Sequence, residues 1–343
     1  RWFPSFEMSR NTVFFGNINS ARSYQVSLES YPDTLVFGNY KFYQSIFSLQ
    51  SSKFLGSPEL SSSLVFQSRK QQLNFLAPTE LLKVDALWDQ DRIHFNFDFK
   101  QQGEDNSAHL AGVWKFENEG FGLKFKDSYF RILGQDWAID TRNQIGLMGK
   151  DWKAENLYLT NQDQLIAMNG SLSKDSSAIL SLKAENFQLA TLGPLFSVKS
   201  NGILNAELNL KNWYQNSEID SWLKIDSLYL GKVFIGNVQG LGNFSSALNA
   251  MDLDLTVNRL DENILTINGL YRPAAEEQKL DLLADLNKTD LKILEPFTKG
   301  VFSNFSGDAV GKLQIKGHFR EPEVEGKIVI NIGAVTFDYL NTQ

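Results

Sequence analysis

The stretch FSGDAVGKLQIKGHFREPEVEGKIVI, residues 305–330, contains two segments in which apolar or small residues alternate with polar ones. In the first segment, Leu313 and Ile315 alternate with Lys312 and Gln314. In the second, apolar side chains alternate with mostly charged ones from position 322 to position 330. A period of two is typical of a β-strand with one apolar and one polar face. The stretch therefore predicts two such strands and raises the question of what covers their apolar side.

The same alternation recurs along the chain, and helical signals are confined to short segments near 192–195 and 290–297, where Asp290 is a candidate cap. We therefore predict an all-β fold in which the apolar positions line one surface. The candidate residues of that surface are Phe95, Phe97, Leu180, Leu182, Leu204, Leu208, Leu210, Leu253, Leu255, Leu280, Leu282, Leu313, Ile315, Ile328 and Ile330.

Turn signals divide the alternating segments. Glycines preceded by a small polar residue, at Gly170, Gly202, Gly269 and Gly307, predict tight connections, because such turns require positive φ. The polar run SSKFLGSPELSSS, residues 51–63, predicts a surface loop.

Composition narrows the functional classes. The chain has 343 residues, 42% of them hydrophobic and 21% charged, as in a folded soluble protein. Its formal net charge of -7 argues against nucleic acid as a partner, since phosphate backbones attract clustered Lys and Arg. It has no cysteine, hence no disulfide or thiolate metal site.

Neither a signal peptide nor an apolar run long enough to span a membrane is present, and we expect the sequence to be an internal piece of a longer chain.

An internal repeat occupies the second half. The segment QLIAMNG at 164–170 matches NILTING at 263–269, and matching positions continue beyond both. The spacing of about 100 residues is too long for one coil of a solenoid, so each repeat should contain several strands. We predict a single elongated repetitive β unit over residues 1–343, with repeats at approximately 164–262 and 263–343.

The spacing in the last repeat resembles a known family. The pattern Leu294-Glu-Pro-Phe297, then Gly307-x3-Gly311-x-Leu313-x-Ile315-x-Gly317, then Pro322-x3-Gly326-x-Ile328-x-Ile330, is similar to the repeat of the translocation and assembly module family TamB, within the AsmA-like group. The resemblance covers 263–343 best and 164–240 less well. The composition, rich in Phe and Asn, is similar to that of members from Bacteroidota.

The resemblance implies a fold and a function. Members of this family are long curled β-sheets of U-shaped section, called β-tacos, with a continuous apolar groove. They are anchored in the inner membrane, cross the periplasm and engage an outer-membrane barrel of the Omp85 type. Their proposed roles are transport of phospholipids between the two membranes and assembly of outer-membrane proteins. The expected partners here are phospholipid acyl chains, with the membrane anchor and the barrel contacted by segments that this sequence lacks.

Two other interpretations remain open. A closed β-sandwich core gives the same alternation as an open groove. Aromatic residues also suggest an extracellular glycan-binding or scaffold module, in which Trp88, Trp114, Trp137, Trp152, Trp213 and Trp222 would form a stacking platform. We do not expect an enzyme or a cofactor: His94, His109 and His318 are scattered, and the carboxylates recur at a spacing of two, which is typical of a solvated strand face.

Overall fold

The computed structural model describes residues 6–20, 23–56, 59–73, 78–195, 199–276, 278–296, 302–318 and 321–337. These residues form 24 strands and two short 3₁₀ helices, and all of the strand pairings described below are antiparallel. The predicted all-β class is confirmed. The chain divides into an N-terminal unit, Arg1–Gln162, and a C-terminal unit, Asp163–Gln343.

The N-terminal unit contains fourteen strands in its described residues. They are β1 (Phe6–Met8), β2 (Phe14–Asn19), β3 (Ser23–Ser30), β4 (Thr34–Phe37), β5 (Tyr40–Phe54), β6 (Leu60–Gln72), β7 (Thr79–Asp89), β8 (Arg92–Gln101), β9 (Ser107–Glu117), β10 (Gly120–Phe125), β11 (Tyr129–Ile132), β12 (Gln135–Ile139), β13 (Gln144–Met148) and β14 (Asp151–Asn161).

The C-terminal unit contains ten strands and two 3₁₀ helices in its described residues. The strands are β15 (Gln164–Leu172), β16 (Ile179–Gln188), β17 (Ser200–Lys211), β18 (Glu218–Leu230), β19 (Val233–Ser245), β20 (Ala250–Arg259), β21 (Glu262–Tyr271), β22 (Leu280–Asp290), β23 (Phe302–Gly317) and β24 (Pro322–Phe337). The first 3₁₀ helix (Leu189–Leu195) follows β16, and the second (Leu291–Leu294) follows β22.

Most strands pair with the next strand along the chain. This meander runs without exception from β15 to β24 and, in the N-terminal unit, from β5 to β10. Short connections favour this order, because antiparallel neighbours need only a tight turn. The order β15–β16–first helix–β17 recurs as β21–β22–second helix–β23, at the spacing of the sequence repeat.

Bulges bend the strands along one edge of the C-terminal unit. Asn186, Ser227, Lys288 and Asn304 have positive φ although they lie inside strands, and each sits where the register shifts. A bulge leaves one residue unpaired and bends its strand. All four lie at the end of their strand nearest the 3₁₀ helices, which we call the bulge edge.

Asparagine side chains satisfy the backbone groups that two of these bulges expose. The N–H of Asn186 donates to Asn205 Oδ1 at 2.9 Å, and the N–H of Ser227 donates to Asn237 Oδ1 at 2.9 Å. In each case the acceptor lies on the next strand. Because an unpaired N–H in a sheet is costly, these contacts stabilise the bend.

The predictions for turns were partly wrong. Gly170, Gly202, Gly269 and Gly307 have the expected positive φ, but they lie inside strands β15, β17, β21 and β23. At Gly170 and Gly269 the neighbouring backbone comes so close that a side chain would collide with it. The predicted loop at 51–63 was also mostly wrong, because its serines pair across β5 and β6, with Ser51 and Ser62 joined by a 2.7 Å hydrogen bond.

Both predicted helical segments are present. The second 3₁₀ helix begins after Asp290, whose side chain accepts a 2.9 Å hydrogen bond from the N–H of Lys292, as a capping residue should. Phe297, the last residue of the predicted segment, lies outside the described residues, as do residues 338–343 at the end of the chain.

We predict that Gly269→Ala lowers the free energy of unfolding by about 1–3 kcal/mol, as is usual for a side chain forced into a left-handed backbone. The φ of Gly269 is 139°, and an added Cβ would lie 2.2 Å from the carbonyl oxygen of Asp281. Urea unfolding followed by circular dichroism measures the change. Gly122→Ala is the control, because no heavy atom lies within 4 Å of the added Cβ there. Equal effects of the two changes would contradict the requirement for glycine.

Candidate hydrophobic groove

The strands of the C-terminal unit align their apolar residues in rows on one surface, which we call its apolar face. The registers between neighbouring strands place nine residues directly opposite one another in one row, one on each strand from β16 to β24. They are Leu182, Leu208, Ser221, Gly242, Leu253, Gly269, Leu282, Ile315 and Val324. A second row, one pleat away, runs through Ala184, Ala206, Leu223, Gly240, Leu255, Ile267, Ala284, Leu313 and Gly326. The rows form because residues directly opposite each other in a sheet point to the same side.

Small residues interrupt these rows beside large ones. A Cβ added at Gly240 would meet the Leu223 side chain at 3.1 Å, and one added at Gly242 would meet Met251 at 2.6 Å. The neighbouring side chains therefore lean over the glycines.

The opposite surface of the C-terminal unit, its polar face, carries the charges. Ion pairs there include Lys224 with Asp226 at 3.0 Å and Lys312 with Asp285 at 3.1 Å. Where a pKa is shifted, the cause is such a pair: hydrogen bonding to Asp220 raises the pKa of Lys211. Exposed pairs of this kind contribute little stability. The positions of these ion pairs mark the polar face as a solvent-exposed surface.

At the bulge edge, the apolar face is packed. Ile235, Val238, Val257 and Ile264 form a buried cluster with Ile293 of the second 3₁₀ helix. An adjoining cluster contains Ala284, Leu286, Leu291, Phe305 and Ala309. Two apolar residues of the helix thus cover the strand ends. Arg259 and Asp290 form a 3.0 Å ion pair at the same place, which ties the helix start to β20.

Away from the bulge edge, the apolar face is only half covered. Leu180 and Leu280 are buried and Ile330, on the outermost described strand, is exposed. The other candidate residues of this unit are partly exposed: Leu182, Leu204, Leu208, Leu210, Leu253, Leu255, Leu282, Leu313, Ile315 and Ile328. In a sealed sandwich, residues on the inner face of both sheets are buried. Within the described residues, no second sheet of this unit lies over them, so a closed core is not what the sequence pattern encodes here.

The N-terminal unit has an apolar face of the same kind, richer in aromatic residues. One row contains Leu28, Leu49, Leu64, Ala86, Phe95 and Gly112, and the next contains Phe47, Phe66, Val84, Phe97 and Leu110. Phe95 lies over Gly112, where an added Cβ would meet its ring at 2.6 Å. Phe95 is partly buried and Phe97 is exposed.

Five aromatic rings border this face where the hairpins turn, and we call them the aromatic lip: Trp88, Trp114, Phe116, Phe121 and Trp152. Trp114 stacks on Phe121 with ring centres 4.2 Å apart, and Phe121 meets Trp152 edge-on at 6.0 Å. Trp88 and Phe116 are 5.7 Å apart. Trp88, Phe116 and Trp152 remain 39%, 40% and 43% exposed. The alternation pattern alone does not predict the lip, because only the strand register brings these tryptophans and phenylalanines together.

The six tryptophans do not make one stacking platform. Trp88, Trp114 and Trp152 belong to the lip, but Trp137 is only 2% exposed, Trp222 lies on the polar face of the C-terminal unit, and Trp213 lies in the turn after β17.

Titratable groups with shifted pKa values lie on polar surfaces and in turns. The Arg142 guanidinium and its backbone N–H donate to the Asp140 carboxylate and lower the pKa of that acid to about 2. His109, in β9, has Nδ1 2.6 Å from Asp98 and stacks its ring on Tyr129. In the described ranges, no three His, Cys or acidic side chains are placed to hold a metal ion.

Comparisons with known proteins identify no relative. No family model, curated protein or solved structure matches the chain. Of the helices that the structure describes, none is both long and apolar enough to cross a membrane. The geometry of the apolar faces is therefore the main guide to function.

We predict that three Leu→Asp changes separate the packed, half-open and polar surfaces. Leu286→Asp should unfold the C-terminal unit, because the side chain is only 8% exposed and its charge would be buried without a partner. Leu241→Asp, on the polar face and 57% exposed, should change the free energy of unfolding by less than about 0.5 kcal/mol. Leu208→Asp, on the half-open surface, should retain the fold with an intermediate loss. Urea titration measures all three, and unfolding by Leu208→Asp as complete as that by Leu286→Asp would indicate a sealed core.

Proposed function

We propose that this protein binds phospholipid acyl chains along its apolar faces and belongs to a bridge-like conduit that moves lipids between two membranes. The observation that carries the proposal is the half-open apolar face of the C-terminal unit, with rows of leucines, isoleucines and small residues that cross nine strands. Soluble monomers rarely leave more than a few hundred Å² of contiguous apolar surface uncovered. An acyl chain is flexible and apolar, which are the properties that a ligand covering such a surface needs.

The energetics suit transport as well as binding. Burying a methylene gains about 0.8 kcal/mol, so a chain of roughly 16 carbons gains on the order of 12 kcal/mol on leaving water. Where a glycine interrupts a row, as at Gly240 and Gly242, a neighbouring side chain leans over it, so adjacent positions offer similar burial. A bound chain then moves along the rows with little change in free energy, and no cofactor or covalent step is needed.

The family resemblance supplies the proposed setting. A TamB-like segment would lie in the periplasm of a longer protein, anchored in the inner membrane and joined to an Omp85-type outer-membrane barrel through other segments, with a role in outer-membrane biogenesis. The glycan-binding alternative has less support, because the tryptophans are divided among different surfaces.

We expect the purified chain to carry phospholipid and to retain a fluorescent phospholipid added in detergent. The variant Leu208→Asp/Leu253→Asp places two charges in one row of the apolar face, where an acyl chain would have to bury them. It should lower bound lipid at least about tenfold, since an unpaired charge in an apolar site costs several kcal/mol. Solvent extraction with mass spectrometry gives lipid per mole of protein.

The matched control is Leu241→Asp/Leu283→Asp, which makes the same changes on the polar face of the same unit. It should bind as much lipid as the unchanged chain. Circular dichroism must show that both variants keep their strands. An unchanged chain that neither co-purifies with phospholipid nor retains the fluorescent one would overturn the proposal.

A further inference from the structure

The aromatic lip lies where an acyl-binding face meets water. Trp88 ends the apolar side of β7, Phe116 that of β9, and Trp152 begins that of β14, each next to a hairpin turn. The indole N–H of Trp88 donates to the Gln90 carbonyl at 2.9 Å, which fixes the ring with part of its surface exposed. Tryptophan is enriched at such boundaries because its ring is apolar and its N–H is polar.

The hairpin turns beside the lip carry more acidic than basic charge. Asp91 lies in the turn after Trp88, Glu119 in the turn after Phe116 and Lys150 in the turn before Trp152. The ion pairs on β9 and β14 lie on the opposite face of the sheet, because their residues alternate with Phe116 and Trp152 along the strands. An anionic headgroup at the lip therefore gains no net attraction.

We propose that the aromatic lip is a headgroup site that favours zwitterionic, amine-bearing phospholipids over anionic ones. This inference rests on the proposed acyl-chain function. The cationic amine of the headgroup would lie over the exposed indole faces of Trp88 or Trp152, as cations do on aromatic rings. Its phosphate would stay in water at the turns, while the carboxylates of Asp91 and Glu119 repel lipids with a net negative charge.

The test is a competition between lipid classes. The full chain is incubated with detergent-solubilised phosphatidylethanolamine and phosphatidylglycerol in equal amounts and with matched acyl chains, and bound lipid is quantified by mass spectrometry. We expect an enrichment of phosphatidylethanolamine of about two- to fivefold, which corresponds to a cation–π contribution at an exposed site. Trp88→Leu/Trp152→Leu should remove this enrichment, because leucine keeps an apolar contact but offers the amine no aromatic ring.

Trp222→Leu is the control, because it removes a partly exposed tryptophan from a polar face and should keep the enrichment. If the double leucine variant unfolds, Trp88→Phe/Trp152→Phe replaces it and should reduce the enrichment, because benzene rings bind cations more weakly than indole. Lipid bound in the ratio of the mixture, or an enrichment that survives both double variants, would overturn the headgroup site alone. Failure to bind either lipid would instead remove the acyl-chain function on which the site rests.

Discussion

The structure depends on one constraint: an antiparallel meander keeps residues opposite each other on the same side of the sheet. When strand after strand alternates apolar and polar residues in one register, the apolar positions must merge into continuous rows. The row through Leu182 and Leu208 crosses nine strands in this way. A slip of one residue would put charges such as Asp252 and Asp254 on the apolar face. The hydrophobic effect therefore fixes the register over the whole of the C-terminal unit, although most individual side chains there are only half buried.

Burial differs along the strands of the C-terminal unit. At the bulge edge, residues with positive φ bend the strands, and apolar residues of the second 3₁₀ helix pack beneath them. This is where the fold has most of its buried core. Side chains in the middle of each strand are less buried, so most of the stabilising burial in the unit lies at the bulge edge. That arrangement leaves the remaining apolar surface available without unfolding the sheet.

The candidate cap Asp290 marked the second short helix, and alternation in the sequence was enough to predict the all-β class. It did not predict the bulges, because Asn186, Ser227 and Lys288 have no shared residue type that signals positive φ inside a strand. The glycines at 170 and 269 were wrongly assigned to turns, because the close approach of a neighbouring strand requires glycine just as a tight turn does. The lip was missed for a related reason: Trp88, Phe116 and Trp152 are far apart in sequence, and only strand register brings them together. Two statements stay predictions: that the whole chain is a single repetitive unit, and that the apolar face binds lipid.

The two ends of the strands in the C-terminal unit would orient a lipid bound as proposed. The strand ends opposite the bulge edge finish in hairpin turns, where Phe244 and Tyr271 replace the leucines of the apolar face. At the bulge edge, side chains of the second 3₁₀ helix as well as of the strands would cover an acyl chain. A headgroup would lose its hydration there and would keep it only at the turns. The proposed lipid would therefore lie along the strands, with its tails toward the bulge edge and its headgroup at the turns, so that movement along the rows would not carry the charged end into the apolar face.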